Sequence, residues 1–114
     1  MIYKKSWKYI LVKDDTPCCT EFNYFRPKAL KDFSDIKKGD IGGYLKYFNN
    51  LSQTGNCWIY DDSIVCENAQ VSENAIVKEY ARVFGNAKVF GNAKVIGFVS
   101  VLGDNIVNNN MIVR

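Results

Sequence analysis

The chain has 114 residues, 47% hydrophobic and 24% charged, with a net charge of +3, the proportions of one ordinary globular domain. It contains no histidine, which removes imidazole general bases, Ser-His and Cys-His nucleophile pairs and His-ligated zinc. No apolar run approaches the ~18 residues of a membrane span, and the opening MIYKKSWKYILVKDD has no apolar core before Lys13, so it does not read as a secretory signal.

Residues 1–54 read as one unit and 55–114 as another, within one compact domain. In the first, SWKYILV predicts a strand around Tyr9 to Val12, and DDTP predicts a turn. TEFNYFRPKAL alternates Phe22, Tyr24 and Arg26 before Pro27, which is expected to end the run. KKGDIGG predicts a turn whose two glycines let the backbone bend into the segment that follows. Trp7, Tyr9, Phe22, Tyr24, Phe25 and Phe33 make this unit aromatic, and a cap over the rest of the chain is its expected role. It holds ten Lys or Arg against six Asp or Glu. That excess of four suits a solvated face and falls short of a nucleic-acid-binding arm. Cys18, Cys19, Cys57 and Cys66 fit neither a zinc spacing nor a CxxC motif, so reduced thiols in a cytoplasmic protein are expected. No metal or cofactor is expected.

From Asn56 the chain divides into hexads: NCWIYD, DSIVCE, NAQVSE, NAIVKE, YARVFG, NAKVFG, NAKVIG, FVSVLG, DNIVNN and a final NMIVR. The fourth place is Ile59, Val65, Val71, Val77, Val83, Val89, Val95, Val101, Val107 and Val113. The second is Cys57, Ser63, Ala69, Ala75, Ala81, Ala87, Ala93, Val99, Asn105 and Met111, mostly small. A small and a β-branched residue two apart share one face of a short strand. The first and sixth places, rich in Asn, Asp, Glu and Gly, suit corners. A period of six would scatter the valines around a helix, and hairpins with such short strands would not stand alone. A coil stacking its sides on those of the next coil satisfies the pattern: a parallel β-helix, with valine above valine in a narrow interior.

These hexads resemble the hexapeptide repeat of left-handed β-helix proteins. The VFGNAKVFGNAKV stretch, with KALKDF, KKGDIGGYL and NNLSQTGNCWIYD, resembles the YdcK-like hexapeptide-repeat proteins of bacteriophage and prophage genomes. The resemblance covers Lys28 to Arg114. It implies an all-β, left-handed parallel β-helix of three hexads per coil, about three coils and roughly 16 Å tall, with an N-terminal β-rich cap. It also implies a homo-oligomer, trimer or dimer.

Function on a filled prism must lie outside it. Every third hexad gives one side. The first carries Trp58, Tyr60, Ile76, Lys78, Lys94, Ile96, Ile112 and Arg114. The second carries Ile64, Cys66, Arg82, Phe84, Ser100 and Leu102. The third carries Gln70, Ser72, Lys88, Phe90, Ile106 and Asn108 and is the most polar. Stacked apolar residues on two sides mark contact with something, one side being covered by the head and another by a sister chain. The NNNMIVR end, in register to Val113, suggests a further meeting of chains end to end. The candidate binding or interface residues are therefore Trp58, Tyr60, Lys78, Arg82, Phe84, Lys88, Phe90, Lys94, Ile96 and Leu102.

Familiar left-handed β-helix enzymes, the acyltransferases and zinc carbonic anhydrases, depend on histidine, and neither mechanism transfers to this chain. Asp61, Asp62, Glu67, Glu73 and Glu79 fall at corners, where carboxylates solubilise. No catalytic residue is expected. The expected function is a non-catalytic phage-type binding protein in the bacterial cytoplasm: an oligomeric inhibitor or sequestering protein directed at a host factor. Its target would be a defence protein, or an anionic nucleotide held by Lys78, Arg82, Lys88 or Lys94 with Trp58, Tyr60 or Phe90 for stacking. Nucleic acid and membrane are not expected partners. A structural or assembly module of a phage particle, and a divergent acyltransferase-like enzyme, stay open as alternatives.

Overall fold

The computed structural model describes residues 6–14 and 24–114. The Cys18–Cys19 pair, Phe22 and the turn through Pro17 lie outside the described residues. None of the described helices is long and apolar enough to cross a membrane.

The spacing of six closes into a parallel β-helix. Strands of two or three residues, one per hexad, pair in register with the strand one coil away. The first side stacks Trp58–Ile59, Ile76–Lys78, Lys94–Ile96 and Ile112–Val113. The second stacks Tyr44–Leu45, Ile64–Val65, Arg82–Val83 and Ser100–Val101. The third stacks Gln70–Val71, Lys88–Val89 and Ile106–Val107, with Leu51 bridged below Val71. These are the sides that every third hexad predicts. Val65, Val77, Val83, Val89 and Val95 are fully buried, as are Ala69, Ala75, Ala81, Ala87 and Ala93. Each buried valine contributes roughly 1.5–3 kcal/mol relative to leaving it exposed. The stack also reaches below Asn56, because Tyr44–Leu45 pairs parallel with Ile64–Val65. One further, incomplete coil thus precedes the regular hexads.

The corners follow one backbone rule. The sixth place of each hexad is left-handed, from Asp61 (φ 59°), Glu67 (56°), Glu73 (59°) and Glu79 (67°) through Gly85, Gly91, Gly97 and Gly103 to Asn109 (56°). Glycine enters this region without strain and a residue with a Cβ does not. Two of the acidic residues gain something in return. Asp61 accepts the backbone N–H of Glu79 at 3.1 Å, and Glu73 accepts that of Gly91 at 3.1 Å. Each carboxylate thereby caps a corner amide of the coil above.

The lower end of the stack shows why a head is needed. Within the prism, each second-place carbonyl accepts an N–H from the coil below: Trp58 to Ala75, Ile64 to Ala81, Gln70 to Ala87. Cys57, Ser63 and Ala69 have no regular hexad beneath them. Lys8 Nζ donates to the Cys57 carbonyl at 2.7 Å, the Tyr44 N–H to Ser63 at 2.8 Å, and Asn50 Nδ2 to Ala69 at 2.8 Å. One ammonium, one backbone amide and one side-chain amide therefore close the rim, as buried acceptors require. Lys8 is 2% exposed and also reaches Gly55 O at 3.2 Å and Cys57 Sγ at 3.3 Å. Burial pulls the Lys8 ammonium below its ordinary value and pushes the Cys57 thiol up.

The head itself is an antiparallel hairpin of β1 (Tyr9–Asp14) and β2 (Tyr24–Ala29), continuing the second side through β3 (Tyr44–Leu45). Pro27 does not end β2 as expected; it sits within it, opposite Leu11. Proline lacks an N–H, yet its carbonyl still accepts from Gly42 at 2.8 Å. The Gly42 carbonyl, left without a backbone donor from Pro27, takes Arg26 Nε at 2.7 Å. Neither glycine of the IGG segment has a positive φ, so bending is not their purpose. A Cβ on Gly42 would lie 2.6 Å from Ile59 O, and one on Gly43 would lie 2.6 Å from Ser63 O. Close approach of the head to the first coil explains both.

Val89→Asp buries a carboxylate among stacked valines at a cost of several kcal/mol and abolishes the cooperative transition followed by circular dichroism. A soluble variant with a sharp transition would mean that the inside and outside faces are exchanged. Asn50→Ala orphans the Ala69 carbonyl and lowers unfolding free energy by about 2–3 kcal/mol, read from a urea titration.

A candidate binding site on one corner of the prism

Two of the three corners carry polar ladders at the first place. Asn68 Nδ2 donates to Asn86 Oδ1 at 3.1 Å, and Asn86 Nδ2 to Asp104 Oδ1 at 3.2 Å. At the second corner the Asn56 N–H reaches Asn74 Oδ1 at 3.3 Å. The third corner differs. Its column is Asp62, Tyr80 and Phe98, and the two rings stack with centroids 4.6 Å apart and planes within 6°. Phe98 is 86% exposed and Tyr80 51%. Asparagine stands at six of the ten first places, so the corner does not require an aromatic ring for folding. Two stacked aromatic rings held in water where asparagine suffices form an exposed apolar surface, which makes this corner the candidate site.

Open grooves flank the stack. One, of about 470 Å³, is lined by Asp62, Ile64, Tyr80, Arg82, Phe98, Val99 and Ser100. The other, of about 560 Å³, is lined by Asp61, Asp62, Glu79, Tyr80, Gly97 and Phe98. Arg82 makes the first flank mixed in charge, whereas three carboxylates make the second acidic. The Asp61 carboxylate is engaged on the Glu79 N–H. Glu79 does not repeat that role, because the Gly97 N–H turns to the Lys78 carbonyl at 3.4 Å. Apart from its chain neighbours, a Cβ on Gly97 would have only Glu79 Oε2 within 4 Å, at 3.9 Å, so the groove is open where Gly97 faces that carboxylate.

The residues expected from the sequence are dispersed. Arg82, Lys88 and Lys94 occupy the same place in successive hexads, one on each side, so a single chain does not bring them to one ligand. All three are exposed, and Lys78 is half-buried. The described residues hold one ion pair, Lys37 with Asp32 at 4.0 Å. Phe84, Phe90 and Ile96 are half-buried, and Leu102 is 46% exposed. Trp58 points away from the prism as its register requires, yet it is 1% exposed. Phe33 and Tyr9 seal it edge-on, at 5.3 and 6.2 Å, so it is packing between head and prism rather than a contact for a partner. Tyr60 is half-buried at the same seam and donates its hydroxyl to Asp35 at 2.7 Å. Sequence reading missed Tyr80 and Phe98. Their signal was available: both interrupt the asparagine pattern, one coil apart, in the same column.

Nothing among the described residues gathers three or more Cys, Asp or Glu side chains for a metal ion. The hexad repeat and the stacked coils form a β-helix of hexapeptide repeats, an architecture that fits a hexapeptide-repeat family. No family model matches the chain. It is similar to the uncharacterized acetyltransferase YdcK of Escherichia coli K12, 43% identical over 37 residues, which is 32% of this chain and 11% of that protein. The match therefore spans about a tenth of the relative's length.

Burial, with the hydrogen bond to Asp35, raises the Tyr60 phenol above its ordinary value, and burial raises Tyr9 likewise. A phenol held neutral in the folded state stabilises fully below the unfolded value of 10.0. That contribution is lost as pH rises beyond it, because only the unfolded chain has released the proton. Thermal midpoints are therefore expected to fall above pH 10, and Tyr60→Phe makes that fall shallower; equal slopes would detach Tyr60 from the alkaline transition.

Proposed function

We propose that the protein is a non-catalytic binding module, a homo-oligomer of two or three chains that engages a protein partner through its outer surface. The observation that carries this is the exposed Tyr80–Phe98 stack, an apolar surface placed where the fold needs none. The convex corner, the open grooves and the lack of any histidine in the chain all favour recognition over chemistry. The resemblance to phage and prophage repeat proteins extends the proposal to an inhibitor or sequestering protein acting on a host factor in the bacterial cytoplasm. Apolar residues stacked on the second side, Phe84 and Leu102, supply the contact between chains.

A second reading is acyl transfer, favoured by the description of YdcK as an acetyltransferase. The shared segment is only about a tenth of that protein, and similarity over so short a stretch does not transfer a reaction.

Native mass spectrometry is expected to return a dimer or trimer of the 13.0 kDa chain, and Phe84→Glu to return the monomer with its thermal midpoint retained. A monomeric wild-type protein would remove the oligomer. Acetyl-coenzyme A is expected to stay intact in the protein's presence, at the rate seen in buffer; faster loss would favour the transferase.

A further inference from the structure

We infer that the corner formed by Glu79, Asp62, Tyr80 and Phe98 recognises a cationic side chain, specifically an arginine of a partner polypeptide. This deepens the proposal that the corner is a binding surface and rests on it. Three observations converge. Phe98 and Tyr80 are stacked nearly parallel, and Phe98 is 86% exposed, leaving ring surface open to a planar guanidinium. Aromatic faces attract cations, arginine most often.

Electrostatics then selects between the flanks. The groove beside Glu79 holds Asp61 and Asp62 and no basic residue, while Arg82 lines the opposite groove. An anion placed on the acidic flank would be repelled, and an uncharged apolar group would strand the carboxylates.

The third observation concerns the Glu79 carboxylate, which borders the aromatic stack. Asp61 and Glu73, at the same hexad place, spend their carboxylates on the corner amide above. At Glu79 that amide has turned to Lys78 O, and the missing side chain of Gly97 leaves room beside the carboxylate. Glu79, like Glu67, thus holds a left-handed φ, here 67°, without the capping bond that Asp61 and Glu73 make. A guanidinium lying over Gly97 would donate to Glu79 Oε2 and stack against Phe98 in one pose.

The experiment is a fluorescence-anisotropy titration of the full chain with labelled peptides of alternating serine and arginine. The lysine and glutamate versions of the same peptide, and adenosine monophosphate as competitor, complete the set. The arginine peptide is expected to bind best, the lysine peptide about fivefold weaker, and the glutamate peptide not at all. Glu79→Gln and Phe98→Ala are each expected to weaken arginine binding about five- to tenfold with unchanged circular dichroism. Binding should also fall as salt rises.

Loss of binding in Phe98→Ala but not in Glu79→Gln would overturn the cation assignment while leaving the corner as an apolar docking surface. A silent titration with every peptide would overturn it too, and the native mass would then judge the oligomer separately. Displacement of the arginine peptide by adenosine monophosphate at comparable concentration would reassign the stack to a nucleobase.

Discussion

Everything in this molecule depends on backbone hydrogen bonds that run along the prism axis and join each coil to the one above. A coil of three hexads has no core of its own; its valines are buried only because another coil's valines lie over them. The requirement that every side repeat at the same height explains the interior composition, the left-handed corner and the alternation of small and β-branched residues. It also dictates the head. A stack of identical coils ends in carbonyls with no donor beneath, and Lys8, Tyr44 and Asn50 supply donors one by one.

Features that repeat were legible and features that occur once were not. Assignment of Val65, Val83 and Val101 to one column needs only a period, and so does the outward placement of Arg82, Lys88 and Lys94. The rim contacts are single events, one of them, Lys8 with Cys57, between residues 49 positions apart, and no pattern announces them. Pro27 misled because a strand proline is tolerated where a side chain relieves the abandoned acceptor, here Arg26. Trp58 misled in the opposite way. Its outward direction was legible, but the cover over it came from Tyr9 and Phe33, whose positions depend on the head's tertiary packing.

Tyr80 and Phe98 occupy an intermediate position. Their places in the hexad were plain, and so was the spacing that stacks them. The first place was summarised by its commonest residue, asparagine, and the departures from that residue carried the information. In a repeat protein the consensus belongs to the fold and the deviation to the function. At the sixth place Glu67 and Glu79 share the backbone conformation of Asp61 and Glu73 but not their capping bond.

Cys57 stands at the seam between head and prism, fully enclosed, with Lys8 against its sulfur. Its sulfur lies against Lys8 Nζ and the carbonyls of Ser52 and Thr54, all outside the regular hexads. A reagent reaches this thiol only when the seam opens, so its alkylation rate reads that opening. One native side chain thus serves as a reporter of the junction between head and prism.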